Sequence, residues 1–185
     1  DWAHLNRHTL RPQPITPEMV SAFLPDGVPE TALPRERFPE LPPAPPRPYI
    51  MRRPVDWQDI DSMQHVNNSV YAAYMGEAGV RAPAAFGWPL ERFLEMGIAI
   101  VARRHEISYI DSAVAGDEVE VFTYLSDIRR SSGIRNFIIR RAADGKEFVR
   151  ARMLWVTIDL KSNRPVSMPQ SILDDVRDHI VRPPA

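Results

Sequence analysis

The sequence predicts an α+β domain in which an antiparallel sheet wraps around one buried helix. Residues 68–82 have helical spacing with apolar side chains on several sides, which is typical of a helix surrounded by protein. Four later segments alternate with a period of two, which is typical of β-strands. Turn residues separate those four segments, so we expect the strands to pair in an antiparallel sheet.

The first strand and the helix follow each other along the chain. Residues 49–57 predict a strand, and Pro54 places it at a sheet edge or a bulge because proline cannot donate a ladder hydrogen bond. Asn68 or Ser69 can cap the helix, which we expect to run to about Ala82 and to end at Pro83. Its apolar positions are Val70, Ala73, Tyr74, Ala78 and Val80.

The remaining elements are marked by turn residues. Residues 90–96 predict a short helix that Gly97 ends. The four strands are expected at residues 98–110, 118–126, 134–141 and 148–159, with a hairpin turn at Asp144-Gly145 between the last two. In the second of these strands, alternation predicts a half-buried element: Val119, Val121, Thr123 and Leu125 face one way, and Glu118, Glu120, Phe122 and Tyr124 the other. An amphipathic helix is expected over residues 169–181.

Proline is concentrated near the start of the chain, where 12 of the 19 prolines fall within the first 48 residues. Proline lacks a backbone N–H and restricts the residue before it, so this stretch cannot form a sheet or a long helix. Thr16 as N-cap and Pro17 at the first helical position predict a short helix that runs from Thr16 or Pro17 to about Phe23. We therefore interpret residues 21–48 as a proline-rich linker or arm and residues 49–185 as the folded domain.

The first residues repeat a pattern found near the end of the chain. Residues 2–15 align without gaps on residues 155–168, with an identical Trp, Arg and Pro at the matched positions. An offset of about one domain plus a linker is typical of a tandem repeat. We expect residues 1–20 to be the tail of a preceding copy of the same domain, the alternative being a chance match over a short window.

The composition excludes several classes of protein. A net charge of −1 argues against a polyanion-binding surface, so we expect no nucleic-acid partner. The absence of cysteine excludes disulfides, cysteine-ligated zinc and a thiol nucleophile. No apolar run is long enough to span a membrane, and no signal peptide is present in the sequence. We expect a soluble cytoplasmic protein.

A dense polar cluster lies between the first strand and the buried helix, at residues 59–68. Asp59, Asp61, His65, Asn67 and Asn68 fall within ten residues. Unpaired N–H groups at a helix N-terminus can stabilise a developing oxyanion, and a nearby carboxylate can act as base or nucleophile. The alternative is a capped turn in which these side chains satisfy loop amides. Metal binding is less favoured, because His65 has no second histidine at ligand spacing, and we expect neither a metal nor a cofactor.

The cluster resembles the hotdog-fold acyl thioesterases. The motif Asp-x-Asp-x-x-x-His-Val-Asn-Asn, which ends at Asn68 and precedes a tyrosine-containing helix with Glu77, is closest to the fatty acyl-ACP and 4-hydroxybenzoyl-CoA thioesterase-like branch. Residues 107–117 are similar to a bend of that fold, and residues 151–159 with Arg164-Pro165 are similar to its last strand and tail. The resemblance covers about residues 49–170 and implies a hotdog fold that hydrolyses acyl-CoA or acyl-ACP.

The resemblance also implies site residues. Asp61 matches the family's catalytic carboxylate, which acts as nucleophile or as base for water, and His65 matches the histidine of the plant-type acyl-ACP enzymes. The backbone N–H groups near Val66, Asn67 and Asn68, or the Asn67 side chain, are implied to polarise the thioester carbonyl.

The chain departs from the plant-type pattern at two places. Met63 stands where that motif has Asn, and Asp111 and Ser112 stand where those enzymes carry Glu. Asp61 is therefore the principal catalytic candidate, and Asp111 is a secondary one.

Further residues are candidates for substrate contact. Glu77 matches a common helix glutamate, although a role as the buried partner of an arginine is equally expected. Tyr71, Tyr74 and Met75 line the acyl pocket or belong to the core. Arginines are candidates for contacts to CoA phosphates or to an acidic carrier protein, with solvated strand faces as the alternative: Arg129, Arg130, Arg135, Arg140 and Arg141.

Hotdog domains work in pairs, so the resemblance implies a homodimer or a higher oligomer. Two rival functions stay open at this point. One is a hotdog hydratase or dehydratase, and the other is a non-catalytic or degenerate hotdog domain that shapes the tunnel of an active copy.

Overall fold

The computed structural model describes residues 4–6, 8–9, 11–27 and 37–181. By contacts the chain divides into two compact units, Asp1–Arg37 and Phe38–Ala185. Trp2, with which the internal repeat begins, lies outside the described residues, as does Leu33 of the proline-rich arm.

The first unit contains the helix that the sequence predicts. Helix α1 spans Pro17–Phe23, and the Thr16 hydroxyl accepts a hydrogen bond from the Met19 amide at 3.3 Å. Proline at the first helical position loses no hydrogen bond, because that N–H has no partner inside a helix. Nearby, Leu5 and Pro12 form an antiparallel bridge.

In the described part of the second unit, five strands form one antiparallel sheet. They are β1 (Tyr49–Pro54), β2 (Ile98–Tyr109), β3 (Glu118–Ser126), β4 (Ser132–Arg141) and β5 (Glu147–Asp159), in the order β1-β3-β4-β5-β2. All four predicted later strands are confirmed to within two residues at each end. β1 is an edge strand that ends at Pro54, so its predicted extension to Trp57 is wrong: residues 55–56 are irregular, and a 3₁₀ turn spans Trp57–Asp59.

Helix α2 spans Asn68–Ala85 and packs its buried face on the sheet. That face consists of Tyr71, Tyr74, Met75, Ala78 and Ala82, which recur at helical spacing. The prediction that protein surrounds this helix is wrong for the described chain, because Ala72, Ala73, Gly76 and Val80 on the other sides are exposed. Most of these exposed positions are alanine or glycine. Alanine counts as apolar in the sequence, so the apolar pattern extended around the helix although those sides are not buried.

The limits of α2 also differ from the prediction. Asn67, not Asn68 or Ser69, is the N-cap, with its side-chain oxygen accepting the Ser69 N–H at 2.9 Å. Pro83 lies within the last turn and does not end the helix. A proline there removes only its own hydrogen bond, and the Phe86 and Trp88 amides still donate to the Pro83 carbonyl. Helix α3 follows at Leu90–Glu95, as predicted, and Gly97 adopts φ 70° beyond its end.

The described core falls into two apolar clusters. The first lies between α2 and the sheet and includes Val66, Tyr71, Val121, Phe137 and Phe148. The second lies around the Trp155 indole and joins α3, the start of β2 and the C-terminal segment, through Trp88, Phe93, Ile98 and Ile172. The predicted C-terminal helix is shorter than expected, because α4 (Gln170–Asp175) gives way to a 3₁₀ turn at Arg177–His179.

The last part of the proline-rich segment packs against the outer face of the sheet. The Tyr124 hydroxyl donates to the Pro42 carbonyl at 2.6 Å, and Pro45 is buried. The Arg47 amide donates to the Asp178 carbonyl at 3.0 Å. Tyr124 is therefore 1% exposed although alternation placed it on the outer face, so β3 is more completely buried than the predicted half-buried strand.

Candidate active site

A tight loop holds Asp61 and His65 side by side just before α2. The Asp61 amide donates to the His65 carbonyl and the Gln64 amide to the Asp61 carbonyl, both at 3.0 Å. Gln64 takes up a positive φ of 65° to close the loop. The Asp61 carboxylate also accepts the Met63 N–H at 2.8 Å. The loop thus fixes the carboxylate while leaving a quarter of its side chain accessible.

His65 is the immediate neighbour of that carboxylate. Its Nδ1 lies 3.7 Å from Asp61 Oδ1, close enough for an ion pair when the imidazole is protonated. The same Nδ1 is buried and has no hydrogen-bond partner among the described residues. The structure therefore brings together the two side chains that the family resemblance assigns to catalysis.

The N-terminus of α2 offers one candidate oxyanion donor. The Val66 N–H donates to Ala113 O and the Asn67 N–H donates to Asp59 O, both at 2.9 Å, so both are engaged within the protein. The Asn67 side-chain oxygen is engaged as the cap of α2. The Asn68 N–H has no partner in the part of the chain that the structure describes. Of the predicted donors, Asn68 is the one left for a substrate oxygen.

A buried ionic network stabilises the turn that precedes the Asp61 loop. Asp59 is 6% exposed, and its Oδ2 accepts from the Tyr74 hydroxyl at 2.7 Å and from the Asp56 amide at 2.9 Å. Arg53 lies 3.6 Å from the same oxygen and 3.2 Å from Glu77. Burial, and then the hydrogen bond to the Asp59 carboxylate, raise the pKa of Tyr74. Glu77 is engaged with arginine, which is the alternative that the sequence left open for it.

Tyr71 and Tyr74 lie in the core and away from the apolar cavity described below. Both are fully buried, and the Tyr71 hydroxyl accepts the Ala113 N–H at 2.8 Å. The two rings meet edge to face, with centroids 6.0 Å apart. These tyrosines hold the loop of Ala113 and the turn of Asp59 against α2, so in this chain their contacts are structural.

Three further residues predicted to contact substrate are Asp111, Arg129 and Arg130. Asp111 pairs with Lys146 at 2.5 Å, and this hydrogen bond, with that of the Ser112 amide, lowers the pKa of Asp111. Arg129 and Arg130 follow the end of β3, whereas the Asp61 loop lies near its start, where the Val55 amide donates to Asp117 O. At about 3.3 Å per residue, a nine-residue strand separates them by roughly 30 Å within one chain. Within one chain, the structure does not bring Arg129 or Arg130 to Asp61.

An apolar cavity of about 240 Å³ opens beside the C-terminal half of α2. Its walls include Met75, Gly76, Gly79, Phe93 and Ile100. Met75 was a candidate from the sequence. The two glycines were not, although their lack of side chains leaves the space open. In the described residues no cluster of three or more histidine or acidic side chains could hold a metal ion, and no described helix is long and apolar enough to cross a membrane.

Comparison with known proteins identifies the family. A profile of the thioesterase-like superfamily matches residues 55–176, which include the Asp61 loop, α2 and the whole sheet apart from β1. The chain belongs to the thioesterase-like superfamily. Membership of the thioesterase-like superfamily supports hydrolysis of an acyl thioester as the general activity.

Individual relatives are consistent with the thioesterase-like superfamily. The long-chain acyl-CoA thioesterase FadM of Escherichia coli is 29% identical over 112 residues, which are 59% of this chain and 82% of FadM. The structure of Slr0204, a 1,4-dihydroxy-2-naphthoyl-CoA thioesterase from Synechocystis, aligns with a TM-score of 0.66 and 19% identity over 71% of this chain and 97% of Slr0204.

A plant enzyme shares the same fold. The 12:0-ACP thioesterase from Umbellularia californica aligns with a TM-score of 0.65 and 18% identity, over 74% of this chain and 55% of the plant chain. The five-stranded antiparallel sheet on one long helix and these structural similarities confirm the predicted α+β hotdog fold.

Proposed function

We propose that this protein hydrolyses an acyl-CoA thioester, with the Asp61 carboxylate as general base. The observation that carries the proposal is the Asp61–His65 pair held at the N-terminus of α2, with an unengaged amide at Asn68 beside it. A base and an oxyanion donor are the two groups that thioester hydrolysis requires of a protein.

Each step of the reaction can be assigned to a group of this chain. The Asp61 carboxylate removes a proton from water as the water oxygen attacks the thioester carbonyl carbon. The Asn68 N–H and the positive end of the α2 dipole stabilise the oxyanion of the tetrahedral intermediate. The C–S bond then breaks, the proton passes from Asp61 to the leaving thiolate, and the free acid remains. His65 positions the carboxylate through its contact with Oδ1.

The exposed face of α2 gives the acyl group a route. Ala72, Gly76, Gly79 and Pro83 follow one stripe of the helix, and the stripe leads from the Asn67 cap to the apolar cavity. Side chains of this size leave room for a ligand along the helix. We propose that the acyl group lies on this stripe and that its far end enters the cavity.

The proposed carrier is CoA. Support comes from FadM, which matches this chain in sequence and is itself an acyl-CoA thioesterase. The plant acyl-ACP enzyme shares the fold at 18% identity, which gives no comparable support for an ACP carrier. Assays of matched acyl-CoA and acyl-ACP substrates, with chains of medium and long length, test both choices. Faster turnover of acyl-ACP would overturn the choice of carrier, and no turnover of either would overturn the proposed activity.

We also propose that two copies pair along β2. This strand ends the sheet, spans 12 residues and has no partner on its outer edge in the described chain. A long unpaired edge strand is a template for pairing with another chain. Ile100 and Val101, each 37% exposed, would be covered by such a contact. Light scattering is expected to give twice the mass of the 21.1 kDa chain, and a monomer would contradict the pairing.

A further inference from the structure

Arg135 points into the interior of the domain. It lies on β4 with the same strand phase as Phe137 and Ile139, which belong to the core beneath α2. The residue is only 7% exposed. An arginine at an inward position of a central strand is costly, because a charge taken out of water must be compensated by partners.

The partners of Arg135 compensate the charge only in part. Nη1 donates to the Thr123 hydroxyl and to Nε2 of His179, both at 3.3 Å. No carboxylate pairs with Arg135 within the ranges that the structure describes, and its Nε and Nη2 make no hydrogen bond there. Burial lowers the pKa of Arg135 to about 10, so the guanidinium is still charged near neutral pH.

His179 does not supply the missing negative charge. Burial, and then the charge of Arg135, lower the pKa of His179 to about 4, so the ring is neutral near pH 7. A neutral ring with Nε2 as acceptor directs its Nδ1 hydrogen to the Arg47 carbonyl at 3.3 Å. His179 thus orients one side of the guanidinium and leaves the other side without an acceptor.

The uncompensated guanidinium lines the apolar cavity of about 240 Å³. The other wall residues are apolar or glycine, among them Met75, Phe93, Ile100 and Met153, and no described wall residue is acidic. A small adjoining cavity is also lined by Arg135 and by Trp155, whose buried Nε1 has no hydrogen-bond partner in the described structure. Arg135 therefore brings donors without an acceptor to an otherwise apolar cavity.

We infer that the cavity selects acyl groups whose far end carries a carboxylate, and that Arg135 binds this carboxylate. The inference rests on the proposed hydrolysis of acyl thioesters and names their substrate class. A carboxylate would accept from Nε and Nη2 of Arg135 in the two-point geometry that guanidinium favours. An acyl chain that ends in a methyl group would instead cover the guanidinium and leave it unpaired.

The position of the cavity fits the far end of an acyl chain. Its wall residues on α2 begin at Met75 and end at Pro83, 8 and 16 residues beyond the Asn67 cap. At 1.5 Å per residue they lie roughly 12 to 24 Å along the helix axis from the candidate reaction centre. Arg135 is therefore a specificity-determining residue at a distance from the chemistry, and its substitution leaves the Asp61 loop untouched.

The test compares matched pairs of thioesters that differ only at the far end and are long enough to reach the cavity: sebacoyl-CoA with decanoyl-CoA, dodecanedioyl-CoA with dodecanoyl-CoA, and hexadecanedioyl-CoA with hexadecanoyl-CoA. The wild-type protein is expected to prefer the carboxylate-ended member of at least one pair by about tenfold or more in kcat/KM. Arg135→Met is expected to reverse that preference. Arg150→Met, which removes an exposed arginine paired with Glu147, is the matched control and is expected to keep it.

Two results would overturn the inference: no wild-type preference for the carboxylate-ended member in any pair, or an unchanged preference in Arg135→Met. The wild-type comparison needs no variant, so it decides the matter even if Arg135→Met fails to fold. Arg135→Lys keeps a buried cation and is expected to retain part of the preference.

Binding of free suberate and octanoate separates this inference from the proposed function. Suberate is expected to raise the Tm of the wild-type protein and not of Arg135→Met, whereas octanoate is expected to raise neither Tm by a comparable amount. If no thioester is hydrolysed but this pattern holds, the proposed hydrolysis fails and the carboxylate site stands. If suberate fails to raise the wild-type Tm and no thioester is hydrolysed, the carboxylate site is refuted as well.

Discussion

The Tyr74 hydroxyl donates to the buried Asp59 carboxylate at 2.7 Å and thereby ties the middle of α2 to the turn that precedes Asp61. Asp59 also accepts the Asn67 amide through its carbonyl oxygen, at the cap of the same helix. One buried residue thus links both ends of the Asp61 loop. The position of the candidate base relative to α2 is set by this network rather than by contacts of Asp61 alone.

Tyr74→Phe is expected to destabilise the protein by about 2 kcal/mol, because it removes a hydrogen bond to a charged group and leaves that group buried. Urea unfolding measures the change in the free energy of unfolding. Tyr49→Phe is the matched control, since the Tyr49 hydroxyl makes no hydrogen bond to any described residue, and its effect is expected to stay within about 0.5 kcal/mol. Equal effects of the two substitutions would contradict the role given to Tyr74.

Two glycine-to-alanine substitutions are expected to have opposite effects on stability. A Cβ at Gly133 would lie 2.6 Å from the Trp155 ring and 2.9 Å from Ile128, so Gly133→Ala is expected to cost roughly 1–3 kcal/mol. A Cβ at Gly79 meets nothing within 4 Å, and alanine is the better helix former by about 0.5–1 kcal/mol. Thermal unfolding is expected to lower Tm for the first variant and raise it for the second. A lower Tm for Gly79→Ala would show that the α2 stripe is occupied by protein.

The stability of the protein is expected to fall on mild acidification because of His179. Its pKa is about 4 in the folded state, against an ordinary value of 6.5, so the unfolded state binds more protons between these values. Stability is therefore lost as the pH falls, by about 2 kcal/mol between pH 7 and pH 5. Urea unfolding at the two pH values measures this, and His179→Gln is expected to flatten the dependence.

Carboxylates with lowered pKa values affect the stability of the protein at a lower pH than His179 does. Burial raises the pKa of Glu120, but hydrogen bonds from Arg140 and Arg52 bring it below its ordinary 4.5, and the pKa of Asp111 is below its ordinary 3.8. Their stabilisation is present above those ordinary values and is lost only at lower pH. An unchanged loss of stability between pH 7 and pH 5 in His179→Gln would assign the effect to another group.

The strands could be predicted from the sequence because a period of two sets which side chains enter the core. The same rule applied to β4 places Arg135 on the face of Phe137 and Ile139. Because arginine is usually exposed to solvent, Arg135 was instead grouped with four other arginines as a candidate for contact to CoA phosphates or an acidic carrier protein. Tyr124 was placed on the outer face, and the segment that covers it, around Pro42, is distant in sequence. Burial of a side chain by a segment distant in sequence does not change the periodicity of the strand itself, so it cannot be predicted from that periodicity.

The site was predictable where its parts are adjacent in sequence. Asp61 and His65 lie four residues apart in one loop, so their contact follows from the motif. Arg129 was proposed for its charge, and charge alone carries no information on which end of a strand a residue occupies. The roles of Tyr71 and Tyr74 depended on which part of α2 faces the cavity, and that is fixed by the packing of the helix on β1 and β3.

The most direct test of the proposed function is the steady-state hydrolysis of acyl-CoA by Asp61→Asn. Asparagine keeps the side-chain oxygen that accepts the Met63 N–H, so the loop is expected to stay folded, while the group that takes the proton is lost. Asp144→Asn, in the hairpin turn, controls for the change of charge. The account predicts a fall in kcat of about a hundredfold to ten-thousandfold in Asp61→Asn alone, with an unchanged Tm. Wild-type turnover in Asp61→Asn would contradict it.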